Sequence, residues 1–89
     1  MTTHASHPDI IKRLKRAEGH LKSVITMIED DRACLDIAQQ LQAVESAVAN
    51  AKKILVHDHI DHCLEHAVRD GAQSADDTIR EFKAITKYL

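Results

Sequence analysis

Aromatic residues are almost absent from this chain, which has one Tyr, one Phe and no Trp among 89 residues. Leu, Ile, Val and Ala must therefore fill its interior. Breakers are also scarce, with two glycines and one proline, so there is little loop in which to build an active site or a glycine-rich phosphate cradle. A composition with so few breakers predicts an all-α protein.

Long apolar runs are missing as well. The N-terminal stretch lacks the apolar core of a signal peptide, and no stretch approaches the ~20 apolar residues that span a bilayer. We therefore expect a cytoplasmic protein with no membrane partner. In that compartment the two cysteines are expected to be reduced ligands or sensors rather than a structural disulfide.

Catalytic signatures and a strong charge of one sign are absent too. No nucleophile elbow and no carboxylate pair at catalytic spacing occur, which predicts a protein that is not an enzyme. The formal charge of −2 does not indicate nucleic-acid binding, so any basic surface must be local. A chain of this length makes one small domain with a modest core, which oligomerisation would stabilise.

Hydrophobic periodicity divides the chain into three helices after a polar, mobile tail at residues 1–7. The helices are predicted over about residues 8–29, 32–68 and 75–87. Pro8 suits a first helical turn, Gly71 a helix end, and Ser74 the cap of the third helix. A central helix this long cannot be covered by a small monomer, which favours self-association.

The first helix carries a basic face opposite its apolar stripe. The cations of this face are Lys12, Arg13, Lys15, Arg16 and Lys22. Only Asp9 and Glu18 oppose them. A solvated helix face and a phosphate-binding face both agree with this pattern. Lys52 and Lys53 form a smaller basic spot on the central helix.

Both cysteines and one histidine are spaced as metal ligands. His59 and Cys63 stand four residues apart, so they share one helical face with Cβ atoms about 5–6 Å apart. Cys34 lies 25 residues before His59, which in an unbroken helix is on the order of 37 Å. One chain cannot join all three, whereas an antiparallel pair of central helices can. This predicts a metal site that exists only in a dimer.

The donor set favours a soft ion. A lone helical cysteine is more often a small buried hydrophobe, but two thiolates and one imidazole together fit Cu(I). Zn(II) ordinarily wants a fourth ligand. A further histidine could supply that ligand and shift the preference toward Ni(II), Co(II) or Zn(II). The histidines considered for this role are His4, His7, His62 and His66.

Two segments carry a resemblance to a known family: RLKRAEGHLKSVITMIEDDRACLDIAQQLQAVESAV and VHDHIDHCLEHAVRDG. They closely resemble the copper-sensing operon repressor (CsoR) family, which has nickel/cobalt-, formaldehyde- and persulfide-responsive relatives. The resemblance covers about residues 10–86. It implies a single repressor domain over residues 1–89, with a short, a long and a short helix. It further implies an antiparallel dimer, and a dimer of dimers that forms the homotetramer.

The resemblance also implies a function. Such repressors bind operator DNA in the apo form without a helix-turn-helix, and release it when the inducer binds, derepressing metal efflux or resistance genes. By position, Cys34 and Cys63 match the thiolate ligands and His59 the imidazole ligand. Glu81 matches a glutamate on the third helix that supports the ligands without touching the metal. Ala33 stands where copper sensors often carry a supporting tyrosine.

Operator contacts are implied in the same way. Arg13 matches a basic position involved in DNA binding, with Lys12, Lys15 and Arg16 beside it on the same helix. A second basic position, on the central helix, is Asn50 here. Lys52 or Lys53 is proposed as its substitute.

The resemblance favours Cu(I) as the inducer, because Cys at position 63 distinguishes copper sensors from relatives that carry His there, although some nickel-responsive relatives also use this Cys-His-Cys set with an N-terminal histidine. A Ni(II)- or Co(II)-responsive repressor that uses His4 or His7 as an extra ligand is the alternative. A formaldehyde sensor fits less well because residue 2 is Thr, where those relatives carry Pro, and a persulfide sensor would not need His59. A metal-storage protein without DNA binding is the alternative from another functional class.

Overall fold

The computed structural model describes residues 5–70 and 75–89, and within these ranges the chain forms three helices and no strand. They are α1, His7–Glu29; α2, Cys34–Asp70; and α3, Ala75–Thr86. The predicted all-α chain of a short, a long and a short helix is confirmed. Predictions made for His4, Gly71 and Ser74 lie outside the described residues.

The turn between α1 and α2 depends on a left-handed residue. Asp31 has a φ of 55°. Its N–H donates to the carbonyl of Ile28 at 3.1 Å, and the N–H of Arg32 donates to the carbonyl of Met27 at 2.9 Å. This pair of hydrogen bonds is a common way for a helix to end, and the left-handed residue within it is usually glycine. Asp31 therefore ends α1, and α2 begins at Cys34, two residues later than predicted.

The core is a seam between α1 and the N-terminal two-thirds of α2. Residues spaced by seven on α1 are buried, as in a coiled-coil seam: Ile10, Ala17 and Val24. They are joined in the core by Val44, Ala51 and Val56 of α2. Two of these core residues, Ala17 and Ala51, have small side chains that occupy little space between the helices. The seam fixes which side of α1 faces α2 and hence where the basic residues lie.

One copy of the chain is elongated. Its principal extents are 59 × 23 × 13 Å and its radius of gyration is 18.1 Å, against ~12 Å for a compact domain of this length. The shape follows from α2, whose 37 residues extend roughly 55 Å. In the described ranges, no helix is long and apolar enough to cross a membrane.

Much apolar surface is left uncovered by α1 and α3. On α1 the exposed side chains are Ile11, Leu14, Leu21, Ile25 and Ile28, and on α2 they are Leu35, Leu41, Val48, Leu55 and Leu64. Each is between 39% and 69% exposed. Apolar patches of this extent mark surfaces that bind another protein in most soluble proteins.

Candidate metal centre and basic groove

Helix α3 folds onto the C-terminal half of α2 and brings a carboxylate to the predicted ligand pair. Thr78, Phe82 and Ile85 are half-buried and recur at steps of four and three, so they define the side of α3 that faces α2. Glu81 lies between them on that side. Its Oε2 is 4.0 Å from the Sγ of Cys63 and 4.0 Å from the Nε2 of His59.

One donor atom from each of these residues lies within 4.8 Å of the others, so the three atoms can hold a common cation. We call His59, Cys63 and Glu81 the α2–α3 triad. Its donors are an imidazole nitrogen, a thiol sulfur and a carboxylate oxygen, all of which bind borderline metal ions. The imidazole and the thiol are two of the three donors that the sequence predicts for the metal, and the carboxylate is an additional donor suited to a harder ion.

Cys63 is the buried member of the triad, with only 3% of its surface exposed. Burial, and then the negative charge of Glu81, raises the pKa of its thiol above the ordinary value. Both causes disfavour the thiolate, so Cys63 is a protonated thiol at neutral pH. A cation placed among the triad atoms would reverse the electrostatic cause and release the proton.

Cys34 is at the opposite end of α2 and is exposed. The distance along the helix to His59 is on the order of 37 Å, so one chain does not bring the two cysteines together. This is the arrangement that a cross-subunit site requires. Within a single chain, the residue that lies near both His59 and Cys63 is Glu81.

Two of the candidate extra ligands, His7 and His62, are not brought to the triad, while His4 and the side chain of His66 lie outside what the structure describes. His7 begins α1, while His62 is half-buried on α2, and each takes part in a polar interaction of its own. Neither belongs to a group of side chains that can hold one cation in the part of the chain that the structure describes.

A basic groove lies between α1 and α2, with a volume of about 190 Å³. Its polar lining comes from Arg13, Arg16 and His20 of α1 and from Asn50 of α2. His20 also reaches α2 directly, because its Nε2 is 2.6 Å from the Oε1 of Gln40. Among the described residues that line the groove there is no carboxylate, so its chemistry suits an anion such as a phosphate.

Sequence reasoning did not select His20. Arg13, Arg16 and His20 are spaced by three and four residues, so the spacing that predicts the apolar stripe also places these three on one flank. Arg13 is further fixed by its Nε, which donates to the Asp9 carboxylate at 2.8 Å. Lys12 and Lys15 are exposed and do not line the groove.

Lys52 and Lys53 lie elsewhere. They line a separate cavity with His57 and Tyr88, and it does not include Arg13 or Asn50. The geometry therefore gives no support to the idea that either lysine replaces the basic contact at position 50. Asn50 itself occupies that place, facing the arginines of α1.

The chain is similar in sequence to known proteins. A family model described as metal-sensitive transcriptional repressor matches residues 6–87. The copper-sensing transcriptional repressor CsoR of Bacillus subtilis is 40% identical over 80 residues, which cover 88% of this chain and 79% of that protein. The copper-sensing transcriptional repressor RicR of Mycobacterium tuberculosis is 38% identical over 78 residues, which cover 88% of this chain and 81% of RicR.

Solved structures agree. The nickel-responsive transcriptional regulator InrS superposes with a TM-score of 0.83 at 26% identity, covering 100% of this chain and 99% of the InrS chain. The copper-sensing repressor CsoR with Cu(I) from Geobacillus thermodenitrificans NG80-2 superposes with a TM-score of 0.80 at 34% identity. The superposition covers 98% of this chain and 88% of the CsoR chain. The resemblance drawn from the sequence is confirmed, and the chain belongs to the family of metal-sensitive transcriptional repressors.

Proposed function

We propose that this repressor senses Cu(I). It binds operator DNA in the apo form and releases it when Cu(I) joins Cys34 of one subunit to His59 and Cys63 of another, derepressing metal efflux or resistance genes. The observation that carries the proposal is the position of His59 and Cys63, which share one face of α2 within reach of a common ion. Similarity to copper-sensing repressors supports the choice of metal.

Self-association follows from the uncovered apolar surface. Ten large apolar side chains of α1 and α2 are 39–69% exposed in one copy, and full burial of such a side chain contributes about 1.5–3 kcal/mol. Antiparallel pairing of two α2 helices would cover part of this surface. The same pairing brings Cys34 of each subunit to the triad of the other, and a dimer of dimers would cover the remainder.

The ligand set then matches Cu(I). Two thiolates and one imidazole make a soft, three-coordinate site. Cys63 holds its proton in the apo protein because burial and Glu81 raise the pKa of its thiol, so copper binding releases that proton. Cys34 is exposed in one copy and is therefore accessible to a second subunit.

The basic groove is the surface we assign to DNA. Arg13 and Arg16 supply charges for phosphate oxygens, while His20 and Asn50 supply hydrogen bonds. Each subunit of the tetramer presents one such groove. Counterion release by the arginines makes operator binding strongly salt-dependent.

Helix α2 connects the metal site with the groove that we assign to DNA. It carries Asn50 in the groove and His59 in the triad, nine residues apart and roughly 14 Å along the helix axis. When metal binding closes the cross-subunit site, a shift of α2 therefore moves Asn50 relative to the side chains of α1 that line the same groove. A coupling of this kind is typically about 1–3 kcal/mol, which corresponds to roughly a 5- to 150-fold loss of DNA affinity.

An anaerobic titration of the reduced protein tests the proposal. Cu(I) is added against a competing chelator while the fluorescence anisotropy of a promoter fragment is followed. We expect release at one Cu(I) per subunit. The control is His57→Ala, which removes an exposed α2 histidine outside the triad and should leave the titration unchanged.

A Ni(II)- or Co(II)-responsive repressor is the second candidate, favoured by the structural similarity to nickel-responsive InrS. In the same titration, this candidate is favoured if Ni(II) releases the promoter fragment at a lower free metal concentration than Cu(I) does. Release by formaldehyde or a persulfide donor, with no metal present, selects the sensors of those compounds. Metal binding without affinity for any promoter fragment selects a storage protein and refutes the repressor.

A further inference from the structure

We infer that Glu81 is a direct ligand for divalent cations. The site takes Zn(II) or Co(II) as a four-coordinate centre of Cys34, His59, Cys63 and Glu81, and takes Cu(I) as a three-coordinate centre without Glu81. The inference rests on the proposed function, since it uses Cys34 of a second subunit. It departs from the supporting role that the family resemblance gives to this glutamate.

The distances allow the carboxylate to bind the ion itself. Zinc–ligand bonds of about 2.0–2.3 Å at tetrahedral angles place neighbouring donor atoms roughly 3.3–3.8 Å apart. The Oε2 of Glu81 is 4.0 Å from both the Sγ of Cys63 and the Nε2 of His59. A movement of about half an ångström in a flexible side chain completes the geometry. Glu81 is 68% exposed, so nothing in one copy prevents this movement.

Charge separates the two classes of metal. Two thiolates neutralise a divalent ion, and the Glu81 carboxylate brings the centre to −1. Two thiolates already bring Cu(I) to −1, so a bound carboxylate would add a second negative charge beside the buried Cys63. Uncompensated charge at a buried position is costly. Cu(I) therefore leaves Glu81 out.

Ligand hardness acts in the same direction. Carboxylate oxygen suits Zn(II) and Co(II), while Cu(I) prefers thiolates. Glu81 also supplies the fourth donor that zinc ordinarily requires, a role for which sequence reasoning had considered only histidines. Because Glu81 is on α3 and the other local ligands are on α2, a divalent ion ties α3 to α2, whereas Cu(I) joins α2 helices alone.

The test compares Glu81→Gln with wild type, using Co(II), Zn(II) and Cu(I) on the reduced full-length protein without oxygen. Gln has an oxygen that accepts a hydrogen bond from His59, so it preserves a supporting role but removes the anionic ligand. Asp76→Asn is the matched control, because Asp76 is an exposed carboxylate on the same helix outside the triad. Metal affinities are measured by competition with a chelator. The ligands of the bound metal are identified from the visible absorption spectrum of Co(II) and from X-ray absorption at the zinc edge.

Direct ligation predicts that Glu81→Gln lowers the affinity for Zn(II) and Co(II) by more than about 100-fold, which exceeds the ~10- to 100-fold loss typical of a supporting residue. The affinity for Cu(I) should fall by less than about threefold. The Co(II) spectrum should change and zinc should lose one oxygen donor. The inference would be overturned if Glu81→Gln lost the same factor in affinity for Cu(I) and Zn(II), or if it kept the Zn(II) affinity of the wild type. If Cu(I) fails to release DNA from wild type while the zinc result holds, the copper-sensing proposal fails and the role of Glu81 stands.

Discussion

The carboxylate of Glu81 lies 4.0 Å from the sulfur of Cys63, although the two residues are on different helices and 18 positions apart. This contact places a negative charge beside a buried thiol, which is one of the two reasons that the pKa of the thiol is raised. The same charge attracts a cation. Proton and metal therefore compete for one sulfur, and α3 takes part in the outcome.

Removal of Cys34 should separate metal response from DNA binding. Cys34→Ala changes an exposed residue at the start of α2, so we expect folding and apo operator affinity to remain. Cu(I) should no longer release the promoter fragment, because only one thiolate per site is left. Anisotropy with and without Cu(I) measures both effects. Loss of DNA binding in the metal-free variant would instead make position 34 structural.

Arg16→Ala should weaken operator binding and flatten its salt dependence. Arg16 lines the basic groove, and the slope of log K against log salt falls by ~0.9 for each phosphate that the protein no longer neutralises. The matched control is Lys53→Ala, which removes a cation from the separate cavity near Tyr88. Anisotropy over a range of salt concentrations gives both slopes. An equal effect of the two substitutions would show that DNA does not use the groove specifically.

Alkaline pH should destabilise the apo protein through Cys63. The pKa of this thiol is raised in the folded state, so the native protein holds the proton more tightly than the unfolded chain. The contribution to stability is complete below the ordinary thiol pKa of about 8.5 and is lost as pH rises through the raised value. Urea unfolding of wild type and Cys63→Ala between neutral and alkaline pH isolates the effect. Parallel pH profiles for the two proteins would contradict it.

Asp31→Gly should stabilise the protein by about 0.5–1 kcal/mol, because glycine adopts the left-handed conformation without a Cβ penalty. Asp31 has a φ of 55°. Its neighbour Asp30 has a φ of −88°, so Asp30→Gly is the control and should destabilise through added chain entropy in the unfolded state. Urea unfolding at one protein concentration ranks the three proteins. Stabilisation by both substitutions would point to charge rather than conformation.

The sequence alone determined the helices and one local ligand pair. Residues at steps of three and four mark a helix wherever they occur, so the apolar stripes predicted three helices. Spacing also placed His59 and Cys63 on one face, and the length between Cys34 and His59 excluded a site within one chain. These conclusions need only neighbouring residues and the rise of a helix.

Tertiary structure decided which residues from different helices meet. The side of α3 that packs on α2 brings Glu81 to Cys63, a contact that the family resemblance suggested but that no periodicity in the chain encodes. The α1–α2 seam places His20 and Asn50 in one groove and leaves Lys53 outside it. Such relations depend on the rotation of packed helices about their axes, which is fixed by burial across the whole interface rather than by local spacing.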